Sequence, residues 1–134
     1  MTKGIEEGVR RRAGHRCEYC HQPEAVSKAR HQIDHIIARQ HDGSDDPSDR
    51  ALSCIHCDRH KGPNIARFDP LTGDLVRLYH PRSAIWQTNF TWEDAHLLGL
   101  TAVGRTTVRV LAINEPDMIA VREVLMREGR FPKP

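Results

Sequence analysis

Two Cys-x-x-Cys pairs, Cys17/Cys20 and Cys54/Cys57, bracket an Asp-His dipeptide, Asp34-His35, and the second pair runs straight into Asp58 and His60. Two such pairs supply the four thiolates of a closed tetrahedral zinc site, which is structural because no coordination position is left for a substrate. A redox dithiol is the rival reading of a single Cys-x-x-Cys, but that chemistry is usually set in a βαβ unit, and neither pair lies in one. The segment 21–53 between the pairs is longer than the commoner ribbon spacing, so it must fold as something compact. The whole stretch from Cys17 to Gly62 reads as a zinc-clamped scaffold that holds a second, catalytic metal against nucleic acid.

The elements that must position these residues belong to a small protein. A chain of 134 residues with 38% hydrophobic and 5% aromatic residues buries one modest core, which a metal staple would support. We therefore expect a single domain over 1–134, with a core over 14–67 and an extension over 68–134. The net charge of +2 says little about partners, because the distribution of charge matters more than its sum. No signal-like apolar run and no stretch of about 20 apolar residues is present. The expected setting is soluble and cytoplasmic, where thiols stay reduced and paired cysteines favour metal over disulfides.

In chain order, Lys3 to Ala13 has Ile5 and Val9 at helical spacing, with acids early and Arg10, Arg11 and Arg12 late, as a helix dipole prefers. Those arginines either contact phosphate or form a solvated helix end. Arg30 to Ile37 reads as a short strand or hairpin arm. The run HDGSDDPSD, with Gly43, Pro47, Asp42, Asp45, Asp46 and Asp49, reads as an exposed loop. From Asp49 the chain can turn helical, and a helix after the second cysteine pair carries Asp58 and His60, with Pro63 either near a helix start or at a break. Phe68 to Tyr79 reads as a hairpin, and Trp86, Phe90 and Trp92 either pack onto it, the favoured role, or stack on bases. Thr101 caps a helix through Ala112, and Pro116 opens another that Gly129 stops.

The order of C-x-x-C, Asp34-His35-Ile36, a Gly-containing loop, a second C-x-x-C and then Asp58-x-x-Lys61 resembles the HNH endonuclease family, over about a third of the chain. The resemblance implies an α+β fold with a ββα-metal core clamped by a four-cysteine zinc site, followed by a β-hairpin and two helices. It further implies that Asp34 and Asp58 hold a catalytic divalent ion and that His35 is the general base. Asp58 stands where the family has His or Asn. Asp49 aligns with the Asn that orients the base, and a carboxylate there accepts but cannot donate. Arg50 follows it in place of the usual Leu.

The chemistry accounts for those residue types. Phosphodiester hydrolysis needs a nucleophilic water and a cation to offset charge on the phosphorane-like transition state. An imidazole titrates near working pH, and hard carboxylate oxygens suit Mg²⁺, Mn²⁺ or another divalent ion. Successive strand residues point to opposite faces, so Asp34-His35 should sit at a strand end or bulge. His31 and His60 could form an additional metal or phosphate site. Arg59, Lys61 and Arg67, with Arg10, Arg11 and Arg12, are candidates for phosphate-backbone contact. The expected function is a metal-dependent endonuclease acting on DNA, with RNA left open and no membrane partner. The alternative is a zinc-containing nucleic-acid-binding module without cleavage. Oligomeric state is open.

Overall fold

The computed structural model describes residues 2–133. They divide into two compact units, one holding the chain through Ile65 together with His80–Ala84, the other Ala66–Tyr79 and the chain from Ile85 onward.

In the first unit, helix α1 (Lys3–Arg12) starts where Thr2 Oγ1 accepts the Ile5 N–H at 3.2 Å. Glu6 in its first turn and Arg10, Arg11 and Arg12 in its last complement the helix dipole. Strands β1 (Gln32–His35) and β2 (Arg50–Ser53) pair antiparallel, with Asp34 opposite Ala51 and His35 opposite Arg50. Helix α2 (Ile55–Lys61) follows β2 at once and packs on both strands, while α1 packs on β2. Val9, Tyr19, Ile36, Leu52 and the four cysteines are buried between them. The fold is α+β, and this strand–strand–helix order matches the ββα-metal fold.

One local expectation is corrected, and of the two alternatives for Pro63 the break is the one found. The chain does not turn helical from Asp49: Arg50–Ser53 is a strand, and all four of its residues are buried. Burial on both faces removes the alternation by which a strand is read from sequence. Helix α2 ends at Lys61, ahead of Gly62-Pro63, since proline brings no N–H to continue the ladder and disfavours helical backbone in the residue before it.

In the second unit, β3 (Ala66–Phe68) and β4 (Leu75–Arg77) form the expected hairpin, beginning slightly earlier than read. Its turn is closed by Asp69, whose carboxylate accepts from Leu71 N and Thr72 Oγ1 and pairs with Arg105 at 2.9 Å. The Arg105 guanidinium, ahead of those two bonds, holds the Asp69 carboxyl far below the usual carboxylate range. A short helix α3 (Trp86–Asn89) leads into a second hairpin, β5 (Phe90–Glu93) and β6 (His96–Gly99), which was not expected. Its turn residue Asp94 has φ 52° without the Asn-Gly or Asp-Gly signature that announces such turns. The aromatics form a chain of ring contacts, Tyr79 to Phe90, Phe90 to Trp86 and Trp86 to Trp92, so that Phe90 and Trp92 belong to a hairpin of their own.

Helices α4 (Ala102–Val110) and α5 (Pro116–Arg127) complete the unit, the first capped by Thr101, whose Oγ1 accepts the Gly104 N–H at 3.0 Å. Arg122 of α5 is fully buried, donating to the Ala95 and Ile113 carbonyls at 2.7 and 2.8 Å with its guanidinium against the Trp92 ring. Helix α4 approaches the end of α3 so closely that a Cβ on Gly104 would stand 2.1 Å from the Asn89 carbonyl oxygen. Backbone, not a mobile side chain, would have to yield. Gly104→Ala is therefore expected to cost at least about 2 kcal/mol, read as a lower urea midpoint at unchanged slope.

Candidate metal centre and HNH site

The first cysteine pair is shaped by a turn in which Cys17 N–H donates to the Gln22 carbonyl and His21 N–H to that of Cys17. The second pair opens α2, where the Cys54 sulfur caps the helix by accepting the Cys57 N–H at 3.4 Å. All four cysteines are buried, and their Sγ atoms lie within 4.8 Å of one another. A Zn–S bond of about 2.3 Å implies S···S edges of about 3.8 Å in a tetrahedron. Cys20 and Cys54 are 3.7 Å apart. Burial pushes the Cys17 thiol up, but contacts from Cys20, Cys54 and Cys57 bring it well below the usual value, whereas Cys20 and Cys57 are pushed well up, first by Cys17. Four crowded thiols of that kind fit a metal ion such as zinc, which takes the thiolate form of each.

A second polar cluster lies where β1 faces α2. Asp34 and Asp58, one from each element, come together, and Lys61 Nζ stands 3.0 Å from Asp34 Oδ2 while donating to the His35 carbonyl at 3.1 Å. The Asp34 carboxyl is pushed up to about 6, mainly by burial, with the neighbouring Asp58 adding to the rise and Lys61 opposing it. Two carboxylates crowding one part-buried corner fit a hard divalent cation, which commonly takes one or two carboxylates and completes its shell with water and phosphate oxygens.

His35 is the last residue of β1, and its side chain makes contacts of a different kind. Its Nε2 is 3.0 Å from Asp45 Oδ1, and its Nδ1 is 3.4 Å from an Arg50 terminal nitrogen, Arg50 being its cross-strand partner. Asp45 Oδ1 also accepts from Arg39 Nε at 3.1 Å and Arg50 at 3.2 Å. A cleft of about 480 Å³ lined by Thr2, Ile5, Arg39, Asp45 and Arg50 opens beside this group. Asp49 is not part of it: its Oδ1 accepts the Ile37 N–H at 3.0 Å and its carbonyl accepts that of Ile36 at 2.8 Å.

The remaining candidates separate by environment. His31 is buried, with Nε2 2.9 Å from the Gln22 carbonyl oxygen, which gives it a structural partner apart from Asp34 and Asp58. His60 is exposed on α2 and donates from Nδ1 to the His56 carbonyl at 2.8 Å. Arg10 is buried against Glu24, and Arg12 donates to the Pro47 and Arg50 carbonyls at 3.1 and 2.7 Å. Lys61 is buried on Asp34. Arg11, Arg59 and, in the second unit, Arg67 are exposed. Asp45, Arg39, Arg50 and the ion-pairing role of Lys61 were missed from sequence. The only hint was Arg50 where the family has an apolar residue.

With the paired strands, α2, the sulfur cluster and the Asp34–Asp58 corner in place, comparison with known proteins is decisive for this segment. Residues 17–64 match the HNH endonuclease family. No curated protein and no solved structure matches the chain. The resemblance drawn over Cys17 to Gly62 is thus borne out, and the HNH segment supports a nuclease-type function in general, with nucleic acid as the substrate class and a divalent metal as the cofactor class. No helix among the described residues is long and apolar enough to cross a membrane.

Removing metal from the sulfur cluster should unfold the first unit. A strong chelator, or Cys54→Ser, is expected to abolish its cooperative unfolding transition, and one equivalent of zinc should restore it only in the unsubstituted chain. Asp34 gives a pH prediction of definite sign. Without a cation the folded chain keeps its proton up to about pH 6, whereas an unfolded aspartate loses it near 4. Stability of this unit should thus fall as pH rises through that interval, and Mn²⁺ should reverse the fall. Mn²⁺ affinity should weaken below about pH 6, a dependence that calorimetry should find absent in Asp34→Asn.

Proposed function

We propose that this protein is a divalent-metal-dependent endonuclease that hydrolyses phosphodiester bonds in DNA. One observation carries the reading: in a segment that matches the HNH family, folding brings Asp34 and Asp58 together from β1 and α2, with His35 next in the chain at the strand end. Asp34 and Asp58 would hold a Mg²⁺ or Mn²⁺ ion, and Cys17, Cys20, Cys54 and Cys57 a structural zinc. A divalent ion bound there supplies positive charge against the phosphate as negative charge develops on it.

The protein's own groups do the rest. His35 accepts the proton of the attacking water on a ring nitrogen, the general-base role that an imidazole fills. Lys61 keeps the buried Asp34 corner from carrying uncompensated charge and ties the β1 end to α2 through the His35 carbonyl. Arg11 and Arg59, exposed in the first unit, are its candidates for phosphate contact, and Arg67 is the candidate in the second.

A specific observation favours the second reading, a zinc-bearing nucleic-acid-binding module without cleavage. Asp49, at the position of the family's orienting residue, is taken up by the backbone N–H of Ile37 and leaves His35 alone. Plasmid nicking separates the two. Protein loaded with zinc and then given Mg²⁺ or Mn²⁺ should convert supercoiled plasmid to nicked or linear forms, and His35→Ala should slow this by about a hundredfold or more. Binding with intact backbone under every metal would select the module, and equal cutting by His35→Ala would remove His35 from the mechanism.

A further inference from the structure

We propose that Asp45, rather than Asp49, is the residue that positions His35, holding the imidazole as its Nε2–H tautomer and leaving Nδ1 to take the proton. The inference rests on the nuclease reading for its catalytic consequence but on geometry alone for the positioning itself. A guanidinium offers only donors, so Arg50 at 3.4 Å from Nδ1 requires a lone pair on that nitrogen. The ring proton of neutral His35 then sits on Nε2, where it donates to Asp45 Oδ1 at 3.0 Å. Each side of the imidazole is thus specified by a different neighbour.

Asp45 is itself held. Arg39 Nε and Arg50 donate to the same carboxylate oxygen, so the acceptor does not depend on a free rotamer. The turn that carries it is drawn against the end of β1: Gly43 N–H donates to the Ala38 carbonyl at 3.1 Å, and a Cβ at Gly43 would stand 1.7 Å from the Ile37 carbonyl oxygen. A few residues on, Asp49 pins the other side of this loop to the Ile36 and Ile37 N–H groups. The two carboxylates divide the work, Asp49 fixing the loop and Asp45 the imidazole. For Nδ1 to take the proton of water, the Arg50 guanidinium must give up its 3.4 Å contact there, keeping its bond to Asp45 at 3.2 Å, and the imidazolium that results faces the Asp45 carboxylate at Nε2.

The test combines histidine ¹⁵N NMR with cleavage kinetics on Asp45→Ala and Asp45→Asn, both surface substitutions because the Asp45 side chain is 67% exposed. The unsubstituted protein should show His35 as the Nε2–H form. Asp45→Asn, whose amide oxygen still accepts, should keep that form, and Asp45→Ala should populate both. In cleavage, Asp45→Ala should lower kcat by about tenfold or more with KM changed by less than about threefold, Asp45→Asn should recover part of the loss, and neither should lower the residual rate of His35→Ala further. An unchanged tautomer in Asp45→Ala overturns the proposal. So does cutting at the original rate or faster, or an equal loss in the His35→Ala background. If the unsubstituted protein cuts no nucleic acid, the nuclease reading fails, while the tautomer measurement still decides whether Asp45 positions His35.

Discussion

Both ends of the 21–53 segment are tied to one cluster of four buried sulfurs, and the placement of every site residue in the first unit follows from that tie. The cluster fixes the junction of β2 and α2, because Cys54 is at once the residue after the strand and the cap of the helix. It also fixes the first cysteine turn against β2, where Glu18 N–H donates to the Leu52 carbonyl at 2.9 Å and the Glu18 carboxylate accepts the Leu52 N–H at 2.8 Å. Antiparallel register carries the constraint to β1, setting Asp34 opposite Ala51. Closing a loop of this length is entropically unfavourable, and the apolar residues available, Val9, Tyr19, Ile36 and Leu52 among them, are few. A metal ion held by the four cysteines would offset that cost locally.

Alternation along β1 then divides the chemistry. Asp34 points to α2, where it meets Asp58 and Lys61, and His35 meets the loop that carries Asp45 and the arginines Arg39 and Arg50. Because His35 is the last strand residue, the chain can turn there and bring a loop over the imidazole. Lys61 links the halves, with its ammonium on the Asp34 carboxylate and on the His35 carbonyl. A charge-neutralising group for one half thereby also fixes the backbone from which the other projects.

The parts of this design that rest on residue type and spacing were readable in advance. The cysteine quartet, the Asp34–Asp58 partnership and the helix starts at Thr101 and Pro116 each carry a chemical requirement in a few residues. What stayed hidden depends on burial or on contacts across the fold. Strand β2 hides because both its faces are covered, and hairpin β5–β6 because Asp94 supplies a positive φ that glycine or asparagine ordinarily announces. Asp45 hides for a third reason. In sequence it is one of several acids in a polar loop, and only the folding of that loop against Ile37 and Ala38 distinguishes it from Asp42 or Asp46. Asp49 shows the converse, since alignment by spacing puts it in the orienting role while its carboxylate is taken by the chain's own amide.

The basic residues carry a related lesson about reading charge. Several that were candidates for phosphate contact donate instead to main-chain carbonyls: Arg10 to His31, Arg12 to Pro47 and Arg50, and Lys61 to His35. Arg122 does the same in the second unit with Ala95 and Ile113. A chain with so few aromatics lacks apolar bulk to bring irregular segments together, and long cationic side chains supply it, their stems covering apolar surface while their donors satisfy carbonyls that no sheet or helix reaches. Arg10, Lys61 and Arg122 are also buried, which takes their charge away from the surface that would meet a polyanion, whereas Arg12 stays exposed. The formal charge of +2 therefore mixes cations that hold the fold with cations that face solvent. Of the basic residues that the sequence offers for phosphate contact, Arg11 and Arg59 in the first unit and Arg67 in the second are exposed and make no such main-chain bond among the described residues, so under the proposed function they are the ones to test.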